Sequence, residues 1–275
     1  MKKNWLYKKT VIISGASGGL GFQVAKLLID KYDCKIIGIA RNEKKIIEAA
    51  ETLKDKKENF SYKLFDVSVK ENWENFKVYL EQNGIIPDVL INNAGFMLPF
   101  KRFDKLEENE IAEIIATNFV ANVNSVKILM PLLKQSPSPT VINISSAAGL
   151  CAVIGESMYC ATKFAMRGFT ETLIQEYRKK IYVSGVYPGF IKTDILGRMS
   201  VSDKENRLIR KLMMPAGRAA TKIVRGMSRH KKRIVMGIDG RTMSFFSRLF
   251  PSFTPYIVAK VLKTSGLELF SEIFS

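Results

Sequence analysis

The feature that most constrains this chain is a glycine turn set directly behind an apolar run. Val11-Ile12-Ile13 reads as a buried strand, Ser14-Gly15-Ala16-Ser17-Gly18-Gly19-Leu20-Gly21 follows without a break, and helical periodicity begins after Gly19. A strand handed through glycines to a helix is the opening unit of an α/β sheet. Glycine permits the tight turn and lets a pyrophosphate approach the free N–H groups at the helix start. The spacing is Gly15-x3-Gly19-x-Gly21 rather than G-x-G-x-x-G, and glycines alone serve any tight turn. Position between strand and helix is what gives this cluster weight.

The rest of the chain continues the alternation. Strands are predicted at residues 10–14, 35–40, 61–65, 88–92, 140–145, 181–187 and 233–236. Helices are predicted at 19–31, 43–54, 70–82, 107–115, 118–134, 157–180 and 215–229. The strand runs are continuously apolar, as parallel strands covered on both faces require. With 275 residues and 47% hydrophobic content, the chain can bury one substantial core. The expectation is an α/β fold: a doubly wound, Rossmann-like parallel sheet of about seven strands in a single domain, residues 1–240. A short amphipathic extension, 241–275, follows it.

Composition removes several classes. No run approaches the ~20 apolar residues of a membrane helix, and no signal-peptide stretch follows the four lysines of residues 1–9. Three cysteines and one histidine are too few and too scattered for a metal site or disulfide framework, so a soluble, reduced, cytoplasmic protein with no metal is expected. Cys160 adjoins Tyr159 but faces another way on a helix, and reads as a packing residue. The formal net charge is +17, and residues 200–275 hold 15 Lys/Arg against 5 Asp/Glu. Such a bias suits an anionic partner or merely solvated helix faces. No nucleic-acid-binding signature accompanies it, and no nucleic acid is expected.

The second strand ends at Ala40-Arg41-Asn42. An acidic residue near this point holds the ribose hydroxyls of NAD, whereas arginine accommodates the 2′-phosphate of NADP. Phe65-Asp66-Val67 closes the third strand, with Asp66 facing an adenine edge. Asn92-Asn93-Ala94-Gly95 closes the fourth, with small residues where a cofactor would pass, although asparagines also simply form turns.

Tyr159-Cys160-Ala161-Thr162-Lys163 puts a phenol and an ammonium four residues apart, on one helical face. Free tyrosine titrates near ~10, so proton exchange near neutrality needs its phenolate stabilised, and a nearby ammonium can do that. About one such pair arises by chance in a chain this rich in lysine, and Tyr256 with Lys260 is a second. Context separates them. Thirteen residues before Tyr159 stands Ser146, a hydroxyl able to polarise a carbonyl oxygen, whereas thirteen before Tyr256 stands Met243.

Residues 14–21 and 92–95, Asn118, Ser146, Tyr159, Lys163 and Pro188-Gly189 together resemble the short-form short-chain dehydrogenase/reductase superfamily, over about residues 8–238. The resemblance implies a seven-stranded Rossmann-like sheet and a nicotinamide cofactor. It implies Tyr159 as general acid/base and Lys163 on the nicotinamide ribose, lowering the Tyr159 pKa. Ser146 would polarise the carbonyl and Asn118 hold a proton-relay water. Cofactor contacts would run through Gly15, Ser17, Gly18, Gly19, Leu20, Gly21, Arg41, Asp66, Val67, Asn93, Ala94 and Gly95. Tyr159, Lys163, Pro188, Gly189 and Thr193 would complete them. Arg41 resembles the members preferring NADP(H) to NAD(H). One departure is Gly18, where some of those members carry a basic residue.

Three segments are expected to line a substrate cavity: Phe96-Met97-Leu98, residues 150–158 and residues 190–214. Their apolar members (Val153, Ile154, Met158, Ile195, Leu196, Met199, Leu208, Leu212, Met213, Met214) suit a hydrophobic carbonyl or alcohol, lipid-like, steroid-like or acyl. The same residues also suit a closed core. The extension interleaves Phe245, Phe246, Leu249, Phe250, Phe253, Tyr256, Ile257, Val261 and Leu262 with Arg248, Lys260 and Lys263, interrupted by Pro251 and Pro255. Two short pieces are expected, serving as a peripheral membrane anchor, a lid or a subunit contact in a homo-oligomer. The oxidoreductase reading predicts carbonyl turnover, whereas a non-catalytic NADP(H)-binding module predicts affinity alone.

Overall fold

The computed structural model describes residues 4–192 and 213–274. Seven strands form one sheet: β1 (Thr10–Ser14), β2 (Lys35–Ala40), β3 (Phe60–Leu64), β4 (Val89–Asn92), β5 (Thr140–Ile144), β6 (Tyr182–Pro188) and β9 (Arg233–Met236). Their order is β3-β2-β1-β4-β5-β6-β9, and every neighbouring pair is parallel. Two short strands, β7 (Ile191–Lys192) and β8 (Met214–Pro215), pair apart from it. The strand order reverses between β1 and β4, so the loops leaving these two strands diverge and open a crevice at their carboxyl ends.

The side-chain alternation of the strands divides the core in two. Val11 and Ile13 of β1, Val89 and Ile91 of β4, and Ile142 and Ile144 of β5 face one layer. That layer is closed by helices α1 (Gly19–Tyr32) and α7 (Ala216–Met227), through Leu28, Ile29, Ile223 and Met227. Ile12, Leu90 and Val141 face the other. Helices α3 (Lys70–Gln82), α5 (Ala121–Leu133) and α6 (Ser157–Glu176) close it with Trp73, Leu80, Leu129 and Leu173. Each such apolar side chain taken from water contributes ~1.5–3 kcal/mol, and this is why the strand runs are continuous rather than alternating.

The strand assignments differ from expectation by a residue or so at their ends; the helices differ for identifiable reasons. Helix α2 (Glu43–Glu51), capped by the Asn42 side chain accepting from Lys45 N–H at 2.9 Å, stops short of residue 54, where Lys54 takes a positive φ of 50°. α6 ends at Glu176 rather than 180, and Lys179 likewise has φ 68°. Helix α4 (Glu108–Ile115) does not end before Asn118 but runs into α5 through a π-helical turn, Ala116–Val120. The extension holds two helices, α8 (Ile238–Leu249) and α9 (Phe253–Thr264). Pro251 separates them. Pro255, expected to interrupt, sits in the first turn of α9, where a missing N–H costs no helical hydrogen bond.

A third apolar cluster forms beside the sheet: Met97, Leu98, Phe100, Tyr159, Phe270 and Ile273 are buried together, and Leu262 packs against them. The end of the chain thus folds back over the carboxyl-terminal edge of the sheet.

Candidate active site

The glycine turn takes the conformation its residues allow. Gly15 has φ 68°, and its N–H donates to Ile39 C=O at 2.9 Å, fixing the turn against β2. A Cβ on Gly21 would stand 2.3 Å from the Gly15 carbonyl oxygen, so only glycine lets α1 start this close. The turn is also clasped to the loop after β4. Ser14 Oγ accepts from Asn93 N–H and Ala94 N–H, both at 3.0 Å, and Asn93 Nδ2 donates to Ser14 C=O and Gly15 C=O. Asn92 is buried and donates to Asn143 Oδ1 at 2.9 Å. Both asparagines therefore hold the sheet edge together and are more than turn formers.

At the N-terminus of α1, Gly18 offers no side-chain cap, and the first turn has no acidic residue. The helix therefore presents uncapped N–H groups with the positive end of its dipole, the arrangement that binds phosphate. Arg41 and Asp66, at the ends of β2 and β3, meet as an ion pair at 3.2 Å, half-exposed. Burial alone would raise the Asp66 carboxyl. The Ser68 N–H and hydroxyl, together with Arg41, outweigh it and hold the group below the usual carboxylate range.

From the glycine turn a cavity of about 400 Å³ runs past Asn93, Ala94 and Gly95 to Ser146, Tyr159 and Lys163, and on to Pro188 and Gly189. Ser146 caps the short turn Ala147–Gly149, accepting from Ala148 N–H at 3.1 Å. Tyr159 and Lys163 are 6% and 4% exposed on α6, with Lys163 Nζ 5.4 Å from the phenol ring centre. Ser145 Oγ donates to Lys163 C=O at 2.9 Å, tying α6 to β5, and Lys163 Nζ reaches Ile144 C=O at 3.4 Å. Burial pushes Lys163 down to about 8. Burial likewise pushes the Tyr159 phenol up, while the Ser146 hydroxyl works the other way. Tyr159 is thus a phenol at neutral pH, with a proton to donate.

Asn118 does not line the cavity. It is fully buried behind Gly95, on the π turn, with Oδ1 accepting from Phe96 N–H (2.9 Å) and Nδ2 donating to Phe96 C=O (2.8 Å). Its side chain clasps the loop after β4, and its C=O accepts from Asn122 Nδ2 at 2.7 Å. Gly21, Arg41, Asp66 and Val67 also stand outside the cavity wall, and Thr193 lies outside the described residues. Tyr256, of the second Tyr–Lys pair, is 64% exposed on α9 and has no place in the site.

A family model described as short chain dehydrogenase matches residues 9–204. The chain belongs to the short-chain dehydrogenase family. SadH of Mycobacterium tuberculosis, named as an oxidoreductase, is 36% identical over 178 residues, 61% of this chain and 64% of SadH. The match thus spans less than two thirds of that relative. A 3-oxoacyl-acyl-carrier-protein reductase, FabG of Rickettsia typhi, is 32% identical over 201 residues, 72% of this chain and 78% of that one. A short chain dehydrogenase/reductase of Burkholderia phymatum, solved in complex with NAD, has the same fold. Its TM-score is 0.81 over 92% of this chain and 96% of its own, at 20% identity.

Several residues of this short-chain dehydrogenase enter the cavity wall without having been expected there. Lys45 does so from α2, one turn beyond Arg41, a basic residue whose position in sequence was a usable signal. Asp239, at the start of α8, accepts from Phe190 N–H, and its carboxylate stands where a Gly189 Cβ would be, 2.2 Å away. A side chain at position 189 would have to displace the Asp239 carboxylate from this contact. Met243, Val258 and Leu262 reach the cavity from α8 and α9. Of the expected apolar lining, Phe96, Met97, Val153 and Met213 are present, whereas Ile154 is exposed and Met214 packs into the main core. Ile195, Leu196, Met199, Leu208 and Leu212 lie outside the described residues.

Proposed function

We propose that the protein is an NADP(H)-dependent oxidoreductase that interconverts a carbonyl and a secondary alcohol on a hydrophobic substrate. The observation that carries this reading is one cavity shared by the glycine turn, Ser146, Tyr159 and Lys163. A nicotinamide dinucleotide fits the residues present: the uncapped start of α1 for its pyrophosphate and the small residues Ala94 and Gly95 along its path. When bound, such a cofactor supplies or takes the hydride at the reacting carbon.

The chain's own groups handle the proton. The Tyr159 phenol donates to the substrate oxygen in reduction and recovers the proton in oxidation. Ser146 Oγ donates to the same oxygen as it gains charge, a contribution best made by a donor already in place. Lys163 holds the ribose and supplies positive charge beside the phenol. Asn118 acts from behind the wall, fixing the Phe96 backbone, and a relay water on its C=O would lie outside the reacting cavity. Arg41 and Lys45 together support a 2′-phosphate and hence NADP(H) over NAD(H). The Arg41–Asp66 pair is an exposed one, worth ~0.2–1 kcal/mol, so it yields readily to a phosphate.

Met243, Val258 and Leu262 support a covering role for the inner face of residues 241–275, an extension of the 1–240 domain. Their outer face supports a peripheral membrane contact: Phe245 is 60% exposed and Phe250 54%, among Arg248, Lys260 and Lys263. No helix of the described residues is long and apolar enough to cross a membrane. A cytoplasmic homo-oligomer working at a membrane surface is the setting we propose.

The test is NADPH oxidation with long-chain and polycyclic ketones. Tyr159→Phe should lower turnover by about 10²–10⁴-fold with cofactor affinity retained. Thermal stabilisation by NADP(H) should exceed that by NAD(H) and lose its margin in Arg41→Ala. Cofactor binding without turnover on any carbonyl would favour a non-catalytic NADP(H)-binding module, and stronger stabilisation by NAD(H) would reverse the role given to Arg41.

A further inference from the structure

One buried carboxyl in the cavity wall has no part in the proton chemistry above. Glu156 is 3% exposed, and among the described residues neither of its carboxylate oxygens has a hydrogen-bond partner. A carboxyl taken from water without a partner is among the costliest groups a fold can carry. One kept beside the reacting groups points to a partner that arrives with the substrate.

Its place is specific. Glu156 caps α6, and its C=O accepts from Cys160 N–H at 2.8 Å, so it is in helical register with the residues that follow. Glu156, Tyr159 and Lys163, the N-cap and the third and seventh residues of α6, all line the cavity. Lys163 stands at the end nearest Gly95 and the glycine turn. Glu156 stands at the opposite end, where Gly155 packs against Ile273 and Phe100, and Phe100 meets Phe270 edge to face at 4.9 Å. Walls there are apolar: Met97, Phe100, Val153 and Leu262. The titratable neighbours are Tyr159 and Cys160 on the same helix, and Cys160 in turn neighbours Cys151 of the preceding loop. Burial pushes the Glu156 carboxyl up to about 8 and the Cys160 thiol up to about 11. Burial thus favours the protonated form, a carboxylic acid with one O–H to give and one C=O to receive.

We propose that Glu156 is a specificity-determining residue that takes a second oxygen function, a hydroxyl or keto oxygen, on an otherwise apolar substrate. That oxygen would lie a little more than one helical turn, ~6 Å, beyond the carbon that exchanges hydride. The inference rests on the carbonyl–alcohol reading of the site and narrows its substrate class. A wholly apolar substrate leaves the acid unpaired, which is the less stable complex. An ammonium group is the other chemistry that satisfies a carboxyl, by drawing it into its charged form.

Three probes separate these: 2-tetralone, 6-hydroxy-2-tetralone and 6-aminomethyl-2-tetralone. Their affinities are measured calorimetrically on the full chain with NADP+ present, and NADPH turnover is followed separately. The hydroxyl probe should bind wild type and Glu156→Gln about 10-fold more tightly than the bare ketone. In Glu156→Leu, or in Glu156→Met should that variant fold better, the ratio should fall to near one. Equal binding of bare and hydroxylated probes by wild type overturns the proposal, as does a preference that survives Glu156→Leu. A Glu156-dependent preference for the aminomethyl probe overturns it in favour of a cationic substrate. A hydroxyl preference without turnover of any probe would count against the carbonyl–alcohol reaction alone, because recognition is read from binding.

Discussion

Single residues carry the chemistry, and their burial gives it a pH signature. The Glu156 carboxyl moves from an ordinary 4.5 to about 8 on folding. Between those values the folded chain keeps a proton that the unfolded chain has lost. Its contribution to stability is whole below about 4.5 and is lost as pH rises through about 8, a change of up to a few kcal/mol. Tyr159, Cys160 and Cys151, all pushed up by burial, stay protonated across this window. Lys163 runs the other way: pushed down to about 8 from 10.5, its burial cost is full below 8 and is relieved between 8 and 10.5. Melting temperatures of wild type and Glu156→Gln should coincide near pH 5 and separate toward pH 9, with the wild type lower. Parallel curves would mean that the carboxyl is not buried in its neutral form. The sequence marked Tyr159, Lys163 and Ser146 because strand end, helix face and spacing coincide there. Glu156 was equally visible one turn earlier, but a glutamate announces nothing until its partners are counted.

At the scale of elements, the glycine turn joins α1 to β1 with no slack. A Cβ on Gly21 meets the backbone of Gly15, which cannot rotate away, whereas one on Gly18 meets nothing within 4 Å. Gly21→Ala should therefore cost ~1–3 kcal/mol in thermal unfolding and weaken cofactor binding, while Gly18→Ala should stay within ~0.5 kcal/mol. Similar losses in the two would show that the close approach is not what the turn needs. Strands were legible because β-branched runs between polar segments have one reading in a doubly wound sheet. Helix ends were not, because periodicity does not reveal where Lys54 or Lys179 turns to positive φ. The π turn at Asn118 was equally hidden, since one inserted residue leaves the apolar pattern on either side intact. Nor could sequence place Met243 and Leu262 on the wall of the cavity that holds Tyr159, an arrangement made only by packing at long range.

For the whole molecule, charge and shape point the same way. A formal charge of +17 opposes self-association through the basic, aromatic outer face of α8 and α9, and favours an anionic surface. Vesicles containing phosphatidylserine should co-float the full chain more than neutral ones, less so at high salt. Replacing Phe245, Phe250, Tyr256 and Val261 with serine should abolish the difference. Equal flotation of both proteins would remove the membrane role. The inner face of the same helices closes the far end of the cavity, whereas the near end is shaped by β1 and β4. There a single hydroxyl, Ser14 Oγ, accepts the amides of both Asn93 and Ala94. The two loops that flank the dinucleotide path are thus latched to each other and not to their ligand. Loading the cofactor requires neither loop to order, so it should proceed at the pace of a ready-made cleft. Slow steps of a catalytic cycle would then gather at the opposite end, which Met243, Val258 and Leu262 of the carboxyl-terminal helices line.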